Sequence, residues 1–258
     1  MKIGIIILAT NAYFPLGVRF MKRFMYFYKG EKKIKFFFFS DKDPKEYIPD
    51  EIDVEYIHTV NKSWVEGTNL KFKSILSLGD KLNDVSHIFY FDADTNVNTE
   101  FTEEWFLGDS VAGQHYADQS WMKEKKGFDR QPRSKAYVPY DTKLPQMYFY
   151  GAFWGGVTEW TINFCKTMLE WQKADKAWGY EPGVNDESYS NCYFHFNPPS
   201  KIVPTAGFKF AISDKGGMGN TRIMNLNIQG LLTQLKEHKN DLIDIKGQTV
   251  IYKEWKKN

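Results

Sequence analysis

Cysteine is scarce in this chain of 258 residues: only Cys165 and Cys192 occur. They form no CxxC pair and no metal cluster, which excludes a disulfide scaffold and fits a reducing compartment. A surplus of one charge is lacking too. Lys plus Arg number 34 against 32 Asp plus Glu, a formal net charge of +2. A dedicated nucleic-acid binder would carry a basic excess. The apolar run from Ile3 to Ala9 falls far short of the ~20 residues that span a bilayer. It reads as a buried first strand. No secretory signal, internal repeat or low-complexity tract is found. These absences set the expectation of a soluble cytoplasmic protein with neither membrane anchor nor nucleic-acid partner. What is plentiful is aromatic, with 21 Phe, 15 Tyr and 8 Trp. That excess suits stacking on sugar-like ligands and equally suits a bulky aromatic core.

Along the first ninety residues, strands and helices alternate. Residues 2–9 are apolar and β-branched, as a central parallel strand requires. Residues 11–29 carry Phe, Leu, Val, Met and Tyr at mixed helical spacing. Residues 34–40 (IKFFFFS) predict a second strand, broken by Asp41-Lys-Asp-Pro44. Residues 54–58 predict a third strand, 70–82 an amphipathic helix and 86–91 (SHIFYF) a fourth strand. Such alternation signals a wound parallel sheet, whose ligands sit beyond the carboxyl ends of the strands. Residues 109–149 are polar and aromatic, with scattered Gly and Pro. The segment 149–157 (FYGAFWGGV) is apolar and laced with glycine, which lets a ligand or a backbone approach closely. Helices are expected over 158–173 and 186–194. From Gly216 the tail holds seven Lys/Arg against four Asp/Glu.

Asp92-Ala93-Asp94 directly follows the fourth strand. Two carboxylates at a strand end suit a hard cation such as Mg²⁺ or Mn²⁺, which prefers carboxylate and phosphate oxygens. Such an ion neutralises a nucleotide's diphosphate as it leaves. A solvated turn is the plainer alternative. A phosphatase of the haloacid dehalogenase type also uses an Asp-x-Asp after a strand, but Asn96 stands where its Thr or Val belongs.

Several segments, in register, resemble the retaining glycosyltransferase family of the histo-blood-group A and B transferases and the α1,3-galactosyltransferase. IFYFDAD resembles that family's strand and acid pair. FDRQPRSKAYVP at 128–139, YFYGAFWGGV at 148–157 and NDESYSNCYF at 185–194 resemble three further motifs. Trp64 with Thr68, Lys71 and Phe72 fits the helix before the acid pair. The order and spacing agree from about Ile5 to Pro204.

The resemblance implies an α/β fold of the GT-A type: a Rossmann-like, mostly parallel central sheet flanked by helices. It implies a single domain over 1–258. Residues to about 108 would form a nucleotide-binding half, about 109–215 an acceptor and catalytic half, and 216–258 a basic closing segment. The implied activity is transfer of galactose or N-acetylgalactosamine from a UDP sugar to a galactoside-type glycan, in α1,3 linkage with retention. Mn²⁺ or Mg²⁺ would sit on Asp92 and Asp94.

Carried over residue by residue, Tyr13 and the backbone of Leu8, Ala9 and Thr10 line the uracil pocket. Lys71 takes the place of a family arginine that reaches the acid pair and the donor sugar. Asp92, Ala93, Asp94, Gly151, Ala152 and Asp186 complete the donor site, with Asp186 on sugar hydroxyls. Ala152 corresponds to the position where Gly admits an N-acetyl group and Ala favours galactose. Glu187 is the catalytic carboxylate, beneath the anomeric carbon as nucleophile or as electrostatic support. His115, Tyr150 and Trp154 face the acceptor, and Trp121 and Trp178 are further stacking candidates. Lys215, Arg222, Lys253 and Lys256 are candidates for phosphate contact. A glycogenin-like retaining transferase and a non-catalytic carbohydrate-binding protein on the same fold remain open at this point.

Overall fold

A computed structural model describes residues 1–60, 64–97, 100–115, 127–203, 210–211, 228–237 and 239. Seven strands hydrogen-bond in one sheet: β1 (Lys2–Leu8), β2 (Ile34–Ser40), β3 (Val54–His58), β4 (Val85–Asp92), β6 (Ser110–Gln114), β7 (Phe149–Val157) and β8 (Lys201–Val203). Their order is β3-β2-β1-β4-β7-β6-β8. β1 with β2, β2 with β3, and β6 with β8 pair in parallel, while β6 and β7 run antiparallel. β5 (Asn96–Val97) pairs antiparallel with β9 (Phe210–Ala211) in a separate ribbon. The helices are α1 (Phe14–Phe27), α2 (Trp64–Leu76), α3 (Thr158–Lys176), α4 (Asn185–Phe196) and α5 (Ile228–Glu237). This is the expected mixed α/β architecture with a mostly parallel sheet.

The chain divides into two compact units. One comprises residues 2–60, 91–105 and 209–258. Its β2 buries six of seven residues, which is why IKFFFFS reads as continuously apolar rather than alternating. Pro15 opens α1, where its missing N–H costs nothing, after a 3-10 turn over Asn11–Tyr13. Phe24 of α1 packs edge-on against Phe36, Phe91 and Phe101. Such pairs add about 0.5–1.5 kcal/mol each beyond their area. On the same helix the Arg23 guanidinium donates to the Val97 carbonyl at 2.8 Å.

The other unit comprises 61–90 and 106–208, with Met1. Trp154 of β7 is its centre, stacked on Tyr90 and packed against Phe72 and Phe164. The helix expected over 70–82 stops at Leu76. Gly79, at φ +49°, breaks it, and a 3-10 turn takes over from Gly79 to Leu82. The short strand β6 lies in the stretch that carried no strand signal in the sequence, because only three of its five residues are buried. The segment 128–139 is held by Asp175 of α3. Asp175 accepts from the Ser134 hydroxyl at 2.6 Å and the Lys135 N–H at 2.9 Å.

The β7 glycines are explained by backbone approach. A Cβ on Gly155 would lie 2.2 Å from the Ile88 carbonyl oxygen, and one on Gly156 2.2 Å from that of Asp109. Neither neighbour is the flexible end of a side chain. Gly155→Ala is therefore expected to cost about 3 kcal/mol or more through overpacking. Urea unfolding followed by circular dichroism checks it; an unchanged midpoint contradicts the packing given for β7.

Candidate active site

Strand β7 begins beside α4, and hydrogen bonds join its start to the first two turns of that helix. The Gly151 N–H donates to Glu187 Oε2 at 2.6 Å. The Tyr148 hydroxyl donates to Glu187 Oε1 at 2.8 Å. Both carboxylate oxygens are thus fixed, one by backbone and one by a phenol that is itself fully buried. One turn on, the Asn191 amide accepts from the Phe149 N–H at 2.7 Å and donates to the Phe149 carbonyl at 3.0 Å. It also donates to the Glu187 carbonyl at 2.9 Å. A Cβ on Gly151 would come within 2.9 Å of Glu187 Oε2 and would push the carboxylate from this position.

Helix α4 starts with Asn185 in the left-handed region, φ +42°, which asparagine tolerates better than most residues. The Ser188 hydroxyl reaches back to the Val184 N–H at 3.2 Å, so the helix start is capped without an N-cap side chain. Asp186 and Glu187 follow in the first turn, where the helix dipole favours negative charge. Asp186 forms a buried ion pair with Lys71 of α2, 2.7 Å between Oδ2 and Nζ. The ammonium also lies 4.6 Å from the Tyr90 ring centroid and 3.4 Å from the Gly151 carbonyl. Removing one partner of such a pair costs about 3–5 kcal/mol, because the other charge stays buried.

Glu187 is half-buried, and its carboxyl is raised from 4.5 to about 7. Desolvation is the largest cause. The Gly151 N–H and the Tyr148 hydroxyl oppose it, Asp186 reinforces it, and Lys71 opposes it. Tyr148 is pushed well above the usual phenol range by burial and then by Glu187. His115, after β6, packs its ring 4.5 Å from that of Tyr150, and its backbone N–H donates to the Tyr148 carbonyl at 3.0 Å. Burial lowers its imidazole from 6.5 to about 4, so it is neutral near pH 7.

Of the residues named from the sequence, the structure brings Lys71, His115, Tyr150, Gly151, Asp186 and Glu187 together in this unit. Ala152 follows on the same strand and is buried. Trp154 has no exposed surface and belongs to the aromatic core, so the acceptor-facing place expected for it is corrected to packing. Trp178 is stacked on Tyr180 at 4.8 Å and covered by the Arg133 guanidinium at 4.5 Å. Tyr148 and Asn191 were not singled out in the sequence. Asn191 stands one helical turn after Glu187, which is the signal that could have marked it.

In the other unit, Leu8 ends β1 and Ala9, Thr10 and Tyr13 follow it, with the Tyr13 N–H on the Thr10 carbonyl at 3.0 Å. Asp92 ends β4. Asp94 comes two residues later, in a turn closed by the Thr95 N–H on the Asp92 carbonyl at 3.0 Å. Both acids are half-buried and Ala93 between them is buried. Two carboxylates of this kind fit a hard divalent cation. Among the described residues no group of three or more His, Cys, Asp or Glu gathers. The remaining ligands would therefore be water or phosphate oxygens, as is usual for Mg²⁺. Trp121, Lys215, Arg222, Lys253 and Lys256 lie outside the described residues. Among the described residues no helix is long and apolar enough to cross a membrane.

Comparison with known proteins gives a match to the family described as glycosyltransferase family 6, over residues 1–208. The chain is 28% identical over 169 residues to the O-antigen biosynthesis glycosyltransferase WbnI of Escherichia coli, covering 64% of this chain and 70% of that protein. It is 29% identical over 213 residues to globoside alpha-1,3-N-acetylgalactosaminyltransferase 1 of Gallus gallus, covering 79% of this chain and 60% of that protein. A shorter match, 32% over 81 residues, is to histo-blood group ABO system transferase 2 of Rattus norvegicus, covering 31% of this chain and 24% of that protein.

The Tyr148 hydroxyl stabilises the ionised form of Glu187. Without it, the neutral acid is favoured and the carboxyl titrates higher. In Tyr148→Phe the Glu187 titration is expected to move up from about 7, by about one unit. Carboxyl carbon NMR of the labelled protein reads the shift. A titration unchanged or moved down contradicts the hydrogen-bond assignment.

Proposed function

Because this chain belongs to glycosyltransferase family 6 and is a glycosyltransferase, we propose that it moves galactose from UDP-galactose to a galactoside-type glycan, forming an α1,3 bond with retention at the anomeric carbon. UDP-N-acetylgalactosamine is the second donor to test. The observation that carries this reading is the Glu187 carboxylate, held between a backbone N–H and a phenol and raised to about 7. A carboxylate so fixed and so poorly solvated is reserved for a developing positive charge.

In this reading the bond from the sugar C1 to the UDP oxygen breaks and its electron pair leaves with UDP. The acceptor hydroxyl oxygen bonds C1 on the same face, and its proton passes to the departing phosphate oxygen. Glu187, ionised, meets the positive charge at C1, either by bonding to it or by electrostatic support. Lys71 holds the Asp186 carboxyl in place for hydroxyls of the donor sugar. Ala152 limits the room beside the sugar C2 and so favours galactose. His115 and Tyr150 offer a neutral imidazole and a phenol to the acceptor. Leu8, Ala9, Thr10 and Tyr13 hold the uridine.

Asp92 and Asp94 would hold a Mn²⁺ or Mg²⁺ ion. Its chemistry is to neutralise the diphosphate. The proposed organisation follows: residues to about 108 for the nucleotide, about 109–215 for the acceptor and catalysis, and 216–258 as a basic closing segment.

Glu187→Gln keeps the size and loses the charge. It is expected to lower transfer by about a hundredfold or more while UDP binds normally. UDP release from each UDP sugar, with and without galactosides, together with UDP titration calorimetry, reads both. Full activity in Glu187→Gln overturns the role of this carboxylate. Chelation is expected to stop turnover of the wild type, and unchanged turnover in EDTA overturns the role given to Asp92 and Asp94.

A further inference from the structure

Helix α4 does for the start of β7 what a neighbouring strand would do. Two strand residues rise about 6.8 Å and bring successive N–H groups back to the same edge. Four helical residues rise about 6.0 Å and bring a side chain back to the same face. The two repeats nearly coincide. The N–H groups of Phe149 and Gly151 are therefore both met from α4, by Asn191 and by Glu187 respectively. Only one of these two side chains is tied to both elements. Asn191, fully buried, spends its oxygen and its amide N–H groups on Phe149 and on the carbonyl of Glu187. Those contacts agree on one orientation of the amide. Neither a carboxylate nor a hydroxyl supplies the same set.

We infer that Asn191 is a positioning residue, which fixes the register of α4 on the edge of β7 and thereby holds the Glu187 carboxylate on the Gly151 N–H. The inference rests on the reading of Glu187 as the catalytic carboxylate. Among the described residues, the titratable and charged groups that face Glu187 are Tyr148 just before β7, Asp186 beside it on α4, and Lys71 from α2. Loss of Asn191 leaves all three in place and loosens the Gly151 contact alone. The neutral acid gains from that change, so the Glu187 titration moves up. A misplacement on the order of 1 Å at a reacting group costs up to about a hundredfold.

The test compares the wild type with Asn191→Ala, Asn191→Asp, Phe194→Leu and Glu187→Gln, all in the full chain. Phe194 lies on the same helix and packs on Phe149 and Phe164, so its truncation destabilises without touching the register contacts. Three quantities are measured: steady-state UDP release with the donor varied, the pH profile of kcat, and the Gly151 amide proton shift in ¹⁵N-labelled protein. Asn191→Ala is expected to lower kcat by about tenfold or more, with the donor KM within about threefold of wild type. Its acid limb is expected to move up, and its Gly151 amide to move upfield. Phe194→Leu is expected to melt earlier with kcat, limb and amide shift unchanged. If Asn191→Ala does not fold, Asn191→Asp takes its place, since it keeps the volume and the acceptor for the Phe149 N–H. A wild-type kcat and amide shift in the folded Asn191 variant overturns the inference. So does an equal change in Phe194→Leu. Activity retained by Glu187→Gln instead overturns the catalytic reading, while the amide shift still reports on the register.

Discussion

Everything around Glu187 depends on how one strand edge is satisfied. A backbone N–H buried without a partner costs about 1–3 kcal/mol, so the exposed ladder at the start of β7 has to be met by something. The sequence meets it with a helix whose side chains are spaced to match. The consequence is more than stability. The group that meets the Gly151 N–H is a carboxylate, and the one that closes its other oxygen is a buried phenol. A constraint of folding thereby becomes a constraint on the position of a charge. A side chain at Gly151 would press on that carboxylate and displace it.

The same arrangement decides the charge state. Two hydrogen bonds, a helix N-terminus and the nearby ammonium of Lys71 all favour the ionised form of Glu187. Burial opposes them, Asp186 adds like-charge repulsion, and desolvation outweighs the rest, leaving the carboxyl at about 7. A carboxylate with the same donors in open solvent would titrate below its usual range, and one with the same burial but no donors would stay neutral in neutral solution. The observed balance leaves a group that is ionised in a substantial fraction of molecules and poorly hydrated when it is, which is the condition under which a carboxylate interacts strongly with a developing cation.

Much of this was legible in the sequence. The first ninety residues announce a wound sheet through the largely apolar strands 2–9 and 34–40, and the strand before Asp92 is found within one residue at each end. The glycines of FYGAFWGGV correctly indicate close approach. Their sequence does not say of what, and the answers differ: a carboxylate at Gly151, a carbonyl at Gly155. β6 was not legible, because its apolar run is too short to stand out from the loop around it. Nor was the separation of aromatic roles. Trp154 and Tyr150 stand four residues apart in one segment. Trp154 fills the core, while Tyr150 stacks on His115. Only the packing of α2 and α3 onto β7 at Trp154 decides between them.

Lys71 shows how the kind of cation at a buried position is matched to its surroundings. An arginine at this place would present a planar fork to a carboxylate; lysine presents a compact charge with three rotatable donors. A single point charge suits a site that offers one carboxylate oxygen at 2.7 Å, one carbonyl and one aromatic face. Desolvation of the ammonium is offset by Asp186 first and by the Tyr90 quadrupole second, since a cation over an aromatic face gains about 2 kcal/mol when water is excluded. The Tyr90 ring is in turn fixed by stacking on Trp154. The orientation of Asp186 is therefore tied, through one lysine and one tyrosine, to the aromatic core of the same unit. The large aromatic content of the chain serves the site from behind, by holding rigid the charged groups that face it.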